Sequence, residues 1–83
     1  MDKPVWWDWE LEITAHARKR MADRGFSETD LRVMLEAASD WRPAETYGRF
    51  VIEARHDGRP WDVVVEPDEL TGDLVVVTAY PVP

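Results

Sequence analysis

Three polar side chains of the types that handle phosphate repeat every four residues near the amino terminus. His16, Arg20 and Arg24 would form one narrow stripe on a helix, because residues four apart lie about 40° from each other around its axis. Arginine offers a planar pair of donors to phosphate oxygens, and histidine exchanges a proton near neutral pH. The spacing predicts either a phosphate-handling site or a basic rim on a solvated helix face, partly neutralised by Asp23.

The residues around the stripe predict how this helix is positioned. Ala17 and Met21 would lie next to the stripe, which therefore borders the apolar face, where charges act more strongly than in open water. Thr14 is a suitable N-cap, and Gly25 is suited to end the helix because it tolerates a positive φ. We therefore expect a helix near residues 15–24.

The composition describes one small domain with enough apolar residues for a core. The chain has 83 residues, of which 45% are hydrophobic, with five tryptophans and no cysteine. The absence of cysteine excludes disulfides and thiolate metal sites and suits a reducing compartment. Neither a signal-peptide segment nor an apolar run long enough to cross a bilayer is present. These features predict a single domain over residues 1–83 of a cytoplasmic protein, with no membrane partner.

The charge balance weighs against a nucleic-acid partner. Seventeen acidic residues stand against ten basic ones, and the net charge of −7 repels RNA at long range. Residues 14–24 differ locally, since four basic residues stand there against Asp23 alone. An RNA-binding protein of this kind should bind weakly and with a strong dependence on salt, or use its acidic surface for a basic partner.

The hydrophobic period changes along the chain and divides it into strands and helices. Between Val5 and Ile13 every second residue is apolar, which is typical of a half-buried strand, and a period of two returns after residue 48. The predicted elements are a strand near 6–13, helices near 15–24 and 28–38, and antiparallel strands near 48–56, 60–66 and 73–80. The expected fold class is α+β, with a short strand, then two N-terminal helices packed on an antiparallel β-meander.

The second helix has a clear start signal. Ser27-x-x-Asp30 has the spacing of a capping box, and the apolar residues Phe26 and Leu31 flank it as a hydrophobic staple would. The helix should bury one apolar stripe against the sheet. That stripe consists of Leu31, Met34, Leu35 and Ala38.

Three further segments predict how the sheet is connected. Trp41-Arg42-Pro43 is expected to be a connection after the second helix. Asp57-Gly58 is a hairpin signal and would leave His56 beside the turn, in water. The near-continuous apolar run from Leu74 to Tyr80 predicts a central strand that is buried on both faces.

The tryptophans near the amino terminus predict a contact with another protein. Trp6, Trp7 and Trp9 cannot all be buried on one strand, because adjacent residues point to opposite faces. Aromatic side chains left at a surface are typical of interfaces. We expect one of the three to be partly exposed and to lie in an interface with a partner protein or with a second copy of the chain as a homodimer.

Two segments carry a family resemblance. The run His16-Ala17-x-x-Arg20-Met21-x-x-Arg24-Gly25-Phe26-Ser27 and the closing run Leu74-Val-Val-Val-Thr78-Ala-Tyr80-Pro81 resemble the family known as domain of unknown function 4258, over about residues 11–82. The resemblance implies a RelE-like fold, related to the small ribonucleases of the barnase, EndoU, colicin and RelE group. It also implies a toxin–antitoxin setting, with an antitoxin-like partner. The acidic pI of about 4.6 departs from the basic toxins of that group.

The matched residues suggest a metal-independent ribonuclease that needs no cofactor. Cleavage of RNA by its own 2′-hydroxyl needs a base, an acid for the leaving 5′-oxygen and cations for the phosphorane charge. His16 would be the base or the acid, and Arg20 and Arg24 would hold the phosphate. Tyr80 would be a proton donor or a platform on which a base stacks.

Residues of the predicted strands would add to substrate binding. Thr78 lies two residues before Tyr80 and hence on the same strand face. Arg49 and Arg55 would supply cations, on one face if no bulge lies between them. Each has a structural alternative, with Tyr80 as a core aromatic, Thr78 as a strand former and Arg55 as an exposed strand charge.

A second hypothesis belongs to a different class of protein. His16 and His56 are the only histidines, and their spacing predicts no zinc site. The net charge and the tryptophans favour a catalytically silent protein-binding module on the same scaffold. Convergence of the helix stripe and Tyr80 in one open pocket would favour the ribonuclease, whereas stripe arginines held by acidic residues would favour the binding module.

Overall fold

The chain forms a five-stranded sheet with two helices packed on one face. The structure is a computed structural model and describes residues 2–83. After a 3₁₀ helix at Val5–Asp8, the elements are β1 (Glu10–Ile13), α1 (Ala15–Arg24), α2 (Glu28–Glu36), β2 (Asp40–Pro43), β3 (Phe50–His56), β4 (Arg59–Asp68) and β5 (Asp73–Pro81). The strand order is β1-β5-β4-β3-β2. The α+β class and the two helices are confirmed.

The amino-terminal segment differs from the prediction. Only Glu10–Ile13 of the predicted strand joins the sheet, because the residues before it form the 3₁₀ helix. β1 pairs in parallel with β5, with Ile13 opposite Val76, so the sheet is mixed. The predicted antiparallel meander is confirmed for β3, β4 and β5. β1 also precedes both helices in the chain, so the expectation that the sheet follows the two helices is not supported. Alternation indicates which side chains face a core but not the direction of the strand.

The predicted connection Trp41-Arg42-Pro43 is also wrong, since it forms most of β2. β2 pairs antiparallel with β3, with Trp41 opposite Ile52. It lies at the edge of the sheet, where Pro43 is tolerated as the last residue although it lacks an N–H group. A strand of four residues with one large apolar side chain is too short to show a period of two.

The start of α2 agrees with the sequence, and its end comes earlier than predicted. The Ser27 hydroxyl accepts a hydrogen bond from the Asp30 N–H, and the Asp30 carboxylate accepts one from the Ser27 N–H at 2.9 Å. The bond from the Ser27 N–H lowers the pKa of Asp30. α2 ends at Glu36 because the Ser39 N–H already donates to the Glu53 carbonyl of the sheet.

The predicted β3–β4 hairpin is confirmed, whereas the prediction that His56 lies in water is wrong. Asp57 and Gly58 have φ values of 51° and 75°, as the mirror-image turns of tight hairpins require. The His56 side chain is only 20% exposed. Its ring centroid lies 5.2 Å from that of Phe26 and 6.1 Å from that of Trp61, so the imidazole packs at the edge of the core and does not stand in water.

β5 contains a bulge near its middle. Val65 of β4 pairs with Val76, but the preceding residue Val64 pairs with Thr78. Val77 is therefore an extra residue without a partner on β4. Each side chain after the bulge is shifted by one position in the alternation between the two faces of the sheet.

The shift decides where the end of β5 points. Val76 and Ala79 are buried in the core with the helices, so Thr78 and Tyr80 lie on the opposite face. We call this face, which the helices do not cover, the open face. Val75 and Thr78 are only partly buried there and Tyr80 is exposed, so the prediction that β5 is buried on both faces is wrong.

Thr14 joins the bulge to the start of α1. Its hydroxyl donates to the Val77 carbonyl at 3.0 Å and accepts a hydrogen bond from the Ala17 N–H at 3.1 Å. The Thr14 N–H donates to the carbonyl of Val76. The predicted N-cap is confirmed, and Gly25 ends the helix at a φ of 74° as predicted.

The core lies between the helices and the sheet. Alternate side chains of β3, β4 and β5 meet one face of each helix, and the largest fully buried side chains are Leu31, Ile52, Val63, Val65, Leu74 and Val76. Of the stripe predicted on the second helix, Ala38 lies beyond α2 and is only partly buried. Neither helix of residues 2–83 is long and apolar enough to cross a membrane.

Replacement of Thr14 tests its double role. Thr14→Ala removes a helix cap and a hydrogen bond to the bulge, and we expect it to lower the free energy of unfolding by about 2 kcal/mol. Thr14→Ser keeps the hydroxyl and should stay within about 0.5 kcal/mol of wild type. Urea denaturation followed by circular dichroism measures both. Equal losses in the two variants would show that the methyl group, not the hydroxyl, holds this junction.

Candidate functional site

The predicted stripe on α1 is exposed. His16, Arg20 and Arg24 face solvent, while Ala17 and Met21 on the adjoining face are buried at 0% and 5% exposure. The stripe thus borders the apolar face, as its spacing predicts. Three clefts described among residues 2–83 are lined by other residues, and none of His16, Arg20 and Arg24 lines any of them.

The arginines of α1 differ in their partners. Arg18 lies 3.7 Å from Glu28, which also contacts Arg32. Across residues 2–83, no carboxylate forms an ion pair with Arg20 or Arg24, so Asp23 does not neutralise them. The stripe therefore offers two uncommitted guanidinium groups beside an exposed imidazole.

Tyr80 does not meet this stripe. It pairs with Asp62 of β4 and lies on the open face, whereas α1 packs on the other face of the sheet. Thr78 lies on the open face as well, which confirms that it shares a face with Tyr80. The structure therefore separates the histidine and the tyrosine that the sequence hypothesis combined in one site.

The strand residues predicted to bind substrate do share the open face. Arg49 and Tyr80 line one recess of about 380 Å³, together with Arg42. Arg55 is exposed on the same face, and the register of β3 is uninterrupted by a bulge. Arg42 was missed by the sequence reasoning because it falls in the segment predicted to be a connection, and pairing with β3 is what brings it to this face.

Two of the three arginines of the open face are engaged by carboxylates. Arg42 donates to Glu53 at 2.6 Å and to Asp62 at 3.1 Å, and Arg49 donates to Glu66 at 3.2 Å. The hydrogen bond with Asp62, followed by the one with Glu53, raises the pKa of Arg42. A phosphate would have to compete with these carboxylates, so the recess is a poor anion site as it stands.

A second cleft lies at the amino-terminal end of the sheet. We call it the Trp cleft. It measures about 140 Å³, and its walls are Trp7, Asp8, Trp9, Leu11, Arg32, Leu35 and Glu36. Trp6 is buried and stacks on Trp7 at a centroid distance of 6.0 Å, while Trp7 and Trp9 remain partly exposed. The expected partial exposure is therefore found for two of the three indoles, which lie on and after a 3₁₀ helix, and the interface expected there stays a prediction.

The titratable side chains are dispersed with respect to metal binding. Within residues 2–83, no three His, Asp or Glu side chains are grouped closely enough to hold a metal ion. In the recess of the open face, the arginines instead form ion pairs with carboxylates, as at Arg42.

Comparison with known proteins gives a family and nothing closer. The model of the family described as domain of unknown function (DUF4258) matches residues 13–81, which is most of the chain. This match confirms the family that the two sequence segments resemble. No curated protein and no solved structure matches the chain.

Removal of Arg42 tests how strongly the open face depends on its ion pairs. Asp62 has a side chain only 13% exposed and would lose its partner in Arg42→Ala. We expect a loss of about 1–3 kcal/mol in the free energy of unfolding, since a nearly buried carboxylate is left without its donor. Arg55→Ala, which removes an exposed arginine from the next strand, should change stability by less than about 0.5 kcal/mol. Chemical denaturation of both variants provides the measurement, and equal effects would refute this role of Arg42.

Proposed function

We propose that this chain, which belongs to the DUF4258 family, is a small metal-independent ribonuclease that binds RNA on the exposed face of α1. The observation that carries the proposal is the pair of uncommitted arginines beside His16 on a helix that holds four of the ten basic residues. In a molecule with a net charge of −7, this face is where an anion meets the least repulsion.

The spacing of the stripe fits contact with a phosphodiester. Arg20 and Arg24 are separated by about 6 Å along the helix axis, so both guanidinium groups can reach the oxygens of one phosphate or of its neighbour. Their charge would stabilise the phosphorane formed when the 2′-hydroxyl attacks the phosphorus. His16 would accept the proton of that hydroxyl, and the resulting imidazolium would return a proton to the leaving 5′-oxygen.

Tyr80 has no part in this reaction, because it lies on the open face. The sequence hypothesis gave it the role of a proton donor or a base-stacking platform beside His16, and the sheet stands between the two. A RelE-like fold and a toxin–antitoxin setting belong to the same proposal and follow from the family resemblance.

A second candidate function is a catalytically silent protein-binding module. It is favoured by the arginines of the open face, which are all held by carboxylates or, for Arg55, by the Gly58 carbonyl. It is also favoured because the α1 stripe lines none of the three clefts described for residues 2–83, whereas ribonucleases hold their substrate in a defined geometry. Its partner would be an antitoxin-like protein or a second copy of the chain.

Loss of the imidazole is the first test of the ribonuclease. We expect His16→Ala to lower the rate of RNA cleavage by about 10²–10⁴, the usual contribution of a positioned acid or base. The assay uses purified protein on single-stranded and ribosome-bound RNA, with and without chelator, and chelator should have no effect. The matched control is His56→Ala, which removes the other histidine and should leave cleavage unchanged once the variant is shown to be folded.

The arginines provide a second test with a control on the same helix. Arg20→Gln and Arg24→Gln should lower both kcat and RNA binding, because they remove charge from the transition state as well as from the complex. Arg20→Lys should restore activity only in part, since a point charge does not reproduce the planar fork. Arg18→Gln makes the same change in net charge at an arginine already paired with Glu28 and should have little effect.

Three outcomes decide between the proposals. A wild-type protein as inactive as folded His16→Ala would refute the ribonuclease and support the silent module. Cleavage abolished by Tyr80→Phe but unaffected by His16→Ala would move the site to the open face. Equal losses in the Arg18, Arg20 and Arg24 variants would show that only the overall charge of α1 matters.

A further inference from the structure

β1 is an exposed edge of the sheet with an unusual charge. It pairs with β5 on one side, and no strand of residues 2–83 lies on its other side. Glu10 and Glu12 are exposed on β1, with Leu11 between them on the opposite sheet face. An unpaired strand edge offers backbone N–H and C=O groups to another extended chain, and these two carboxylates make this edge selective for basic side chains.

The Trp cleft is continuous with this edge. Leu11 of β1 forms one of its walls, and Trp9 directly precedes β1 in the chain. Two exposed carboxylates, those of Asp8 and Glu36, stand at the cleft. Its one cation, Arg32, is 3.4 Å from Glu28 and so is already partly neutralised. The cleft therefore combines indole walls with an excess of negative charge.

The chain itself shows that a cation is attracted to these indoles. The Lys3 ammonium lies 5.7 Å from the centroid of the Trp7 ring, a distance at which a cation interacts with the negative face of an aromatic ring. Trp7 is held in place by its stacking on the buried Trp6. A rigid, partly exposed indole of this kind is suited to an arginine or lysine side chain from another molecule.

We propose that the β1 edge and the Trp cleft together bind an extended, basic segment of another protein, which adds to the sheet as a sixth strand beside β1. Because strand side chains alternate, residues of the segment opposite Glu10 and Glu12 would place basic groups on the open face. The residue opposite Leu11 would enter the Trp cleft on the other face. This inference does not depend on the ribonuclease, since it involves neither α1 nor its stripe.

The charge of the chain favours a basic segment at this edge over a second copy of the chain or RNA. A second copy would bring Glu10 and Glu12 against the same two residues, and like charges placed opposite each other on paired strands are destabilising. RNA would meet four carboxylates at this edge and would be repelled by the net charge of −7 on the whole chain. A basic peptide is the partner whose charge matches both the edge and the cleft.

The experiment titrates the intact chain with a short, end-blocked peptide of three arginines flanked by valines and follows tryptophan fluorescence and heat of binding. The consecutive arginines place basic groups opposite Glu10 and Glu12 and in the Trp cleft. We expect saturable binding that weakens with salt. The same peptide with glutamate for arginine should not bind. A version N-methylated at alternate amides keeps the charge but loses strand pairing, and it should also fail to bind.

Variants of the chain locate the site. The double variant Glu10→Lys, Glu12→Lys should weaken binding about tenfold, because two charge contacts become repulsive. Its matched control is Asp40→Lys, Glu45→Lys, which makes the same change in net charge at exposed positions on and just after β2, the opposite edge of the sheet, and should change the affinity by less than about threefold. Trp9→Leu keeps an apolar wall but removes the ring, and should weaken binding about fivefold.

Several results would overturn the proposal. Equal weakening in the two double variants would mean that only long-range charge acts. Undiminished binding of the N-methylated peptide would exclude an added strand, and tighter binding of an RNA oligonucleotide than of the peptide at this edge would exclude the partner class. Sedimentation showing a dimer that the Glu10, Glu12 variant alters would assign the edge to a second copy. Circular dichroism of every variant verifies that it is folded.

Discussion

The hydroxyl of Thr14 makes the contact on which the arrangement of this molecule depends. It caps α1 and holds the carbonyl of Val77, the extra residue in β5, while the Thr14 N–H bonds to Val76. One side chain thus fixes the start of the helix that carries the stripe and the bulge that decides which way the end of β5 faces. If β5 had no extra residue, Thr78 and Tyr80 would follow Val76 onto the core face beneath the helices.

The bulge has a chemical consequence. It moves the Tyr80 side chain to the open face, where the neighbouring guanidinium groups of Arg42 and Arg49 are held by carboxylates. The residues of the two matched segments are thereby divided between two surfaces of opposite electrostatic character. On α1 the two arginines of the stripe have no ion-pair partner among residues 2–83. On the open face each arginine is held by a carboxylate or by a backbone carbonyl. A molecule with a net charge of −7 can in this way keep one face open to anions.

The tryptophans serve both the core and the surface. Trp6 contacts Trp7, Trp41 and Phe50, with centroid distances of 6.0, 5.6 and 5.1 Å, and so ties the amino-terminal segment to the far edge of the sheet. A domain of this size has a small core, and large aromatic rings supply much of the apolar area it can bury. Trp7 connects that cluster to the surface, where it and the partly exposed Trp9 form walls of the Trp cleft.

The sequence by itself determined the local features, which depend on residues close to one another along the chain. Capping residues, the glycine after α1, the Asp57-Gly58 turn and the exposure of the stripe beside Ala17 and Met21 follow from spacing and backbone preference, and the closing motifs indicate the family. Tertiary structure alone decided the direction of β1, the strand formed around Trp41 and the face on which Tyr80 lies. These depend on which strands pair and in what register. Alternation is the same for either strand direction, and a single extra residue such as Val77, recognisable only against its partner strand, reverses it.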